Sequence, residues 1–170
     1  FTRGAVANVN EVRKLNRLPE TREELEFIAQ SLGAGKSDLF LGEAATEKAV
    51  KDEDLSDVRV LAFATHGLLG GHFSGVQGPS LVFTPPDEGN ETDDGLLKAS
   101  EAAQLKLNAD WVILSACDTA AADGSPDGEG LSGLARAFFY AGARSLLVSH
   151  WPVLSNAAKK ITGELFSDVD

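Results

Sequence analysis

Two stretches decide the architecture: Val58-Arg59-Val60-Leu61-Ala62-Phe63-Ala64-Thr65-His66-Gly67 and Trp111-Val112-Ile113-Leu114-Ser115-Ala116-Cys117-Asp118-Thr119. In each, an apolar run (Val58 to Ala64, Trp111 to Leu114) gives way abruptly to small and polar residues. An apolar run without alternation marks a strand buried on both faces, as in a parallel sheet covered by helices. Reactive groups in such sheets collect just beyond the carboxyl ends of the strands. If the two strands are parallel, His66 and Cys117 emerge on the same rim.

Working outward, the same logic assigns the neighbours. Ser145 to Ser149 reads as a third buried strand, and Leu131 to Tyr140 as an apolar helix ending at Gly142. Lys98 to Leu107 and Leu154 to Phe166 suit helices, and Asp118 to Gly130 is a loop of small and acidic residues. Upstream, Pro19 precedes Thr21-Arg22-Glu23-Glu24, the pattern of a capping box. Leu25, Ile28, Ala29 and Leu32 follow at helical spacing before Gly33 and Gly35. Leu39-Phe40-Leu41 is a strand candidate and residues 44–51 a helix, which with the Val58–Ala64 strand would make a βαβ unit. Residues 67–97 are rich in glycine and proline, with one short strand candidate, Leu81-Val82-Phe83. The fold class is α/β.

Composition narrows the function. The formal net charge is −11, which argues against a nucleic-acid partner, because phosphate binding needs clustered Lys and Arg. No segment approaches the ~18 consecutive apolar residues of a membrane span, and no signal-peptide stretch opens the chain. The lone cysteine, Cys117, has no partner for an internal disulfide, which suits a reducing, cytoplasmic setting. A chain that starts at Phe1 and holds no methionine reads as a fragment of a longer protein.

Several motif matches fail their context. Gly33-Ala34-Gly35-Lys36-Ser37 ends like a phosphate-binding loop, but Gln30 stands where the first glycine belongs and a helix precedes it. Gly128-Glu129-Gly130-Leu131-Ser132-Gly133 matches G-x-G-x-x-G, but lies more than ten residues past the preceding strand, and Glu129 would repel a pyrophosphate. No G-x-S-x-G elbow is present. Three histidines and one cysteine without ligand spacing point to no metal site. His72 reads as part of a surface turn, and His150 as a structural histidine closing a strand.

What survives is the His66–Cys117 pair. A thiol needs an imidazole nearby to deprotonate it or to protonate a departing amine. The two lie 51 residues apart, near the ~50 of caspase-type enzymes. Each residue alone has a structural reading, a small core thiol and a turn-capping histidine; together on matching strand ends they point to catalysis.

Around this pair the chain resembles the CHAT family, caspase-like domains commonly attached to tetratricopeptide repeats. The resemblance is carried by Ala64-Thr65-His66-Gly67, Asp94-Gly95-Leu96-Leu97, Leu114-Ser115-Ala116-Cys117-Asp118-Thr119, Gly128-Glu129-Gly130-Leu131, Leu134-Ala135-Arg136-Ala137-Phe138, Tyr140-Ala141-Gly142-Ala143-Arg144 and Trp151-Pro152-Val153. Asp118 departs from the family's frequent Glu, and His150 from a usual apolar residue. The resemblance implies a caspase–haemoglobinase-like three-layer sandwich, with a mostly parallel central sheet and helices on both faces. Residues 1–18, mixed and without a clear period, read as a lead-in or linker; the resemblance places the family domain over 19–170, continuing past residue 170 in the family.

For function, the resemblance implies a cysteine endopeptidase. Cys117 is then the nucleophile, His66 the general acid/base, and the backbone N–H groups of Gly67 and Cys117 the oxyanion hole. Ser115, Asp118, Asp94 and Trp151 would line the substrate pocket. No metal or organic cofactor is implied; the partners are a protein or peptide substrate and repeat domains of the parent chain. Acidic loops, with no Lys or Arg between Arg59 and Lys98 or between Lys106 and Arg136, favour basic residues before the cleaved bond. The alternative is a catalytically silent interaction or scaffold domain in bacterial signalling. Another thiol-dependent hydrolase, an amidase or transpeptidase, is compatible with the pair but has no supporting motif.

Overall fold

A computed structural model describes residues 6–73, 76–115 and 129–148. It contains α1 (Val9–Val12), α2 (Glu20–Ser31), α3 (Glu47–Asp52), β1 (Val60–Ala64), β2 (Gly67–Leu68), β3 (Ser80–Val82), β4 (Leu96–Lys98), α4 (Ala99–Ala102), β5 (Trp111–Ser115), α5 (Glu129–Ala141) and β6 (Ser145–Val148). The architecture is α/β, as the apolar runs imply.

The strands form two three-stranded sheets. In one, β1, β5 and β6 pair in that order, all parallel. The central strand is the most apolar and the best covered: Val112, Ile113 and Leu114 are buried. α5 crosses from β5 to β6 and lays Leu134, Ala137 and Phe138 into the core with Phe63, Val112 and Leu114. The Phe63 and Phe138 rings stand 5.5 Å apart between centroids, an attractive aromatic contact.

The second sheet is antiparallel, in the order β2-β3-β4. Its side chains alternate between two cores. Leu81 and Leu97 face each other across the ladder and join the main cluster. Val82 and Leu96, the next pair, join a second cluster with Leu68, Phe73, Val76, Ala7 and Val12. Both faces of this small sheet are thus buried, which explains why every residue of β3 and β4 is buried. The outer face is covered by residues 6–15, the stretch expected as a lead-in: Ala7 and Val12 are buried there, with Leu15 packed beside them.

Three local expectations are corrected. Leu39-Phe40-Leu41 forms no strand; it lies between 3₁₀ turns at Lys36–Asp38 and Gly42–Ala44, with Phe40 exposed. Three apolar residues are too few to separate a strand from a turn packed by one side chain. The parallel crossovers instead run from β1 to β5 and from β5 to β6. α2 begins at Glu20 behind Pro19, and the Thr21 hydroxyl donates to the Leu18 carbonyl instead of capping a later turn. Proline's fixed φ starts the helix early and overrides the capping-box pattern. The helix after β4 is one turn long, Ala99–Ala102. The expected helix Leu154–Phe166 lies outside the described residues.

Candidate active site

The rim is set by register. β1 and β5 pair from Val60↔Trp111 to Ala64↔Ser115, a constant offset of 51 residues. That offset equals the separation of His66 and Cys117. Each residue is therefore the second after the last paired residue of its strand. Ser115 is half-buried opposite Ala64; Cys117, Asp118 and Trp151 lie outside the described residues.

His66 is held on three sides. The Thr65 hydroxyl donates to the Val82 carbonyl, and the Val82 N–H donates to the His66 carbonyl at 2.9 Å. These bonds fix the backbone on either side of the ring. The ring itself places Nε2 2.7 Å from the Asn16 carbonyl oxygen. A carbonyl only accepts, so Nε2 carries a proton, and in the neutral form of the ring the lone pair is then on Nδ1. In that tautomer Nδ1 is the nitrogen that can exchange a proton with a thiol. The Asn16 carbonyl has no counterpart in the sequence reading: a main-chain oxygen leaves no side-chain signature, and its segment showed no hydrophobic period.

Gly67 opens β2. Because Val82 and His66 form a hydrogen-bonded pair, the next pair, Gly67↔Leu81, is of the non-bonded kind. The N–H of Gly67 therefore points away from β3, toward the edge of β2 that no described strand occupies. A buried glycine N–H aimed off a sheet edge beside His66 is the type of donor an oxyanion needs.

Asp94, expected at a substrate pocket, is 1% exposed. Its carboxylate accepts the Ala7 N–H at 2.7 Å and the Leu96 N–H at 3.1 Å, and pairs with the Lys98 ammonium at 2.7 Å. Beside it, the buried Glu47 accepts the N–H groups of Asp94 and Gly95 and pairs with Lys51, which also holds Glu101 at 2.7 Å. Burial pushes the Glu47 carboxyl above the ordinary glutamate range, against the pull of Lys51 and the backbone donors. Burial also works against a charged Lys51, but its bonds to Glu101 and Glu47 outweigh this and hold the ammonium above its usual range. These groups bind the 84–95 loop to α3 and α4.

A cleft of about 560 Å³ opens beside this cluster, lined in part by Lys51, Asp54, Leu55, Thr92 and Glu101. None of its lining residues belongs to the rim at His66. Among the described residues no group of three or more His, Cys, Asp or Glu side chains is arranged to hold a metal ion. No helix among them is long and apolar enough to cross a membrane. Gly33-Ala34-Gly35-Lys36-Ser37 runs from the end of α2 into a 3₁₀ turn, without the strand a phosphate loop needs before it.

The sequence model of the CHAT domain matches residues 5–169, nearly the whole chain. The chain belongs to the CHAT domain family. The match takes in residues 6–15, consistent with their burial against the antiparallel sheet. Tetratricopeptide repeat protein 28 of Mus musculus is 27% identical to this CHAT domain over 186 residues, covering 89% of the chain. The chain spans 7% of that relative's length. No solved structure matches the CHAT chain.

Proposed function

We propose that this CHAT domain is a cysteine endopeptidase that cleaves protein partners through a His66–Cys117 dyad. The observation that supports this reading is the β1–β5 register, whose 51-residue offset equals the separation of His66 and Cys117 in the sequence.

In this mechanism Nδ1 of His66 takes the proton from the Cys117 thiol, while Nε2–H stays bonded to the Asn16 carbonyl. The thiolate adds to the peptide carbonyl, and the developing oxyanion is met by the N–H groups of Gly67 and Cys117. Collapse breaks the C–N bond, with His66 giving its proton to the departing amine. Water, deprotonated by the same nitrogen, then hydrolyses the thioester and restores the thiol. Ser115, Asp118 and Trp151 line the pocket for the residue before the cleaved bond, and basic residues are preferred there.

The repeats named in the mouse relative support tetratricopeptide arrays as partners in the parent chain. A single cysteine without a disulfide partner supports a reducing, cytoplasmic setting.

The deciding experiment is Cys117→Ala against a panel of fluorogenic peptides. The wild-type chain is expected to cleave and the variant, folded by circular dichroism, to be inert. Cleavage that survives in the variant overturns the dyad. A thiol that alkylates no faster than a free cysteine at neutral pH would favour the silent-scaffold reading instead.

A further inference from the structure

The segment from Ala7 to Asn16 lies across the outer face of the antiparallel sheet and ends at the His66 ring. Its contacts fall on one loop. The Ala7 N–H donates to the Asp94 carboxylate. Val9 lies over Gly89, so closely that a Cβ at Gly89 would stand 2.8 Å from Val9 Cγ1. Arg13 donates to the Pro86 carbonyl and pairs with Asp87 at 3.5 Å. Between these points Val12 is buried in the second apolar cluster. Three residues beyond Arg13, the Asn16 carbonyl accepts a hydrogen bond from the Nε2–H of His66.

Covering the sheet needs Val12 and Ala7, but not the polar contacts along the 86–94 loop. Those contacts set where the segment lies along its length, and that position decides where the Asn16 oxygen meets the ring. The buried Asp94 carboxylate, anchored by Lys98 and the Leu96 N–H, also holds the Ala7 N–H and so ties the start of the segment to this loop.

We infer that Ala7–Asn16 is a positioning strap for His66, latched on the 86–94 loop by Asp94, Gly89 and Arg13. These three residues touch no reacting atom. They hold the strap so that the Asn16 carbonyl keeps the proton on Nε2 and leaves Nδ1 free. The inference concerns the ring itself; it depends on the proposed dyad only for its effect on Cys117.

The test reads the ring directly, by long-range ¹H–¹⁵N spectra of the full chain labelled at histidine. His66 signals are identified by their loss in His66→Asn. The wild type is expected to show the Nε2–H tautomer. In Gly89→Ala the added methyl meets Val9 and lifts the strap, so His66 is expected to move toward the tautomer mixture of free imidazole. The double variant Gly89→Ala/Val9→Ala removes the clash and is expected to restore the wild-type spectrum. Arg13→Ala, on an exposed side chain that leaves the core intact, is expected to shift His66 in the same direction. Wild-type His66 spectra in both Gly89→Ala and Arg13→Ala, even with lowered thermal stability, overturn the strap. A parallel measurement of Cys117 alkylation separates the two proposals. A roughly ten- to hundredfold slowing that tracks the tautomer supports both; a changed tautomer with an unchanged rate supports the strap and overturns the dyad.

Discussion

Ala64 and Ser115 face each other as the last paired residues of the parallel β1–β5 ladder. Adjacent strands lie ~4.8 Å apart, so the two strand ends stand side by side and run in the same direction. β1 continues into Thr65 and His66, with the ring fixed by the Asn16 carbonyl. In sequence, β5 is followed by Ala116 and Cys117.

A free thiol of ordinary pKa is only a few per cent thiolate at neutral pH, whereas one paired with an imidazole is mostly ionised. His66→Asn is therefore expected to slow iodoacetamide alkylation of Cys117 at pH 7 by about tenfold or more. Equal rates in the two proteins would show that the ring does not act on the sulfur.

Asp87, Glu88 and Glu91 are exposed on a loop without basic residues of its own. The field of an acidic loop attracts cationic ligands and is weakened by salt. Peptides with Lys or Arg before the cleaved bond should be hydrolysed best, with a kcat/KM that falls as ionic strength rises. A preference for acidic or purely apolar residues, or a salt-independent rate, would be inconsistent with this field.

Gly142 ends α5 at φ +114°, and a Cβ there would meet the Leu107 carbonyl oxygen at 2.2 Å. The same junction carries the Leu107 N–H bond to the Ala141 carbonyl. Gly142→Ala combines a backbone conformation reserved for glycine with a main-chain clash, so a loss of about 2–4 kcal/mol is expected in urea unfolding. A variant as stable as the wild type would mean that this turn relaxes freely.

Burial raises the Glu47 carboxyl above its ordinary range. The folded state then holds this proton more tightly than the unfolded chain, so the linked stability is fully present below the unfolded value, about 4.3. It is lost as pH rises through the higher folded value. The stability of the wild type relative to Glu47→Gln should accordingly be greatest near pH 4 and shrink toward pH 7, by paired thermal melts. A difference that grows with pH would put the folded carboxyl below its ordinary range.

Local pattern was enough for the elements whose chemistry is self-contained. The apolar runs at Val60–Ala64, Trp111–Ser115 and Ser145–Val148 had only one way to be buried, and Leu134, Ala137 and Phe138 fall on one helical face. The pairing of His66 with Cys117 as candidates followed from two strand ends of like composition. Short segments were another matter. Gly67–Leu68 and Leu96–Lys98 carry too few residues for a period, and become strands only because Ser80–Val82 lies between them.

What residue order settled, then, is the parallel sheet and its crossover helix α5, because burial of continuous apolar runs is a local demand. What folding alone settled is how that rim is finished. The Asn16 carbonyl reaches His66 across 50 residues of chain, and Asp94 turns inward to Ala7 and Lys98 rather than outward to a ligand. Both depend on main-chain groups and distant partners, whose positions exist only once the two cores have packed against each other.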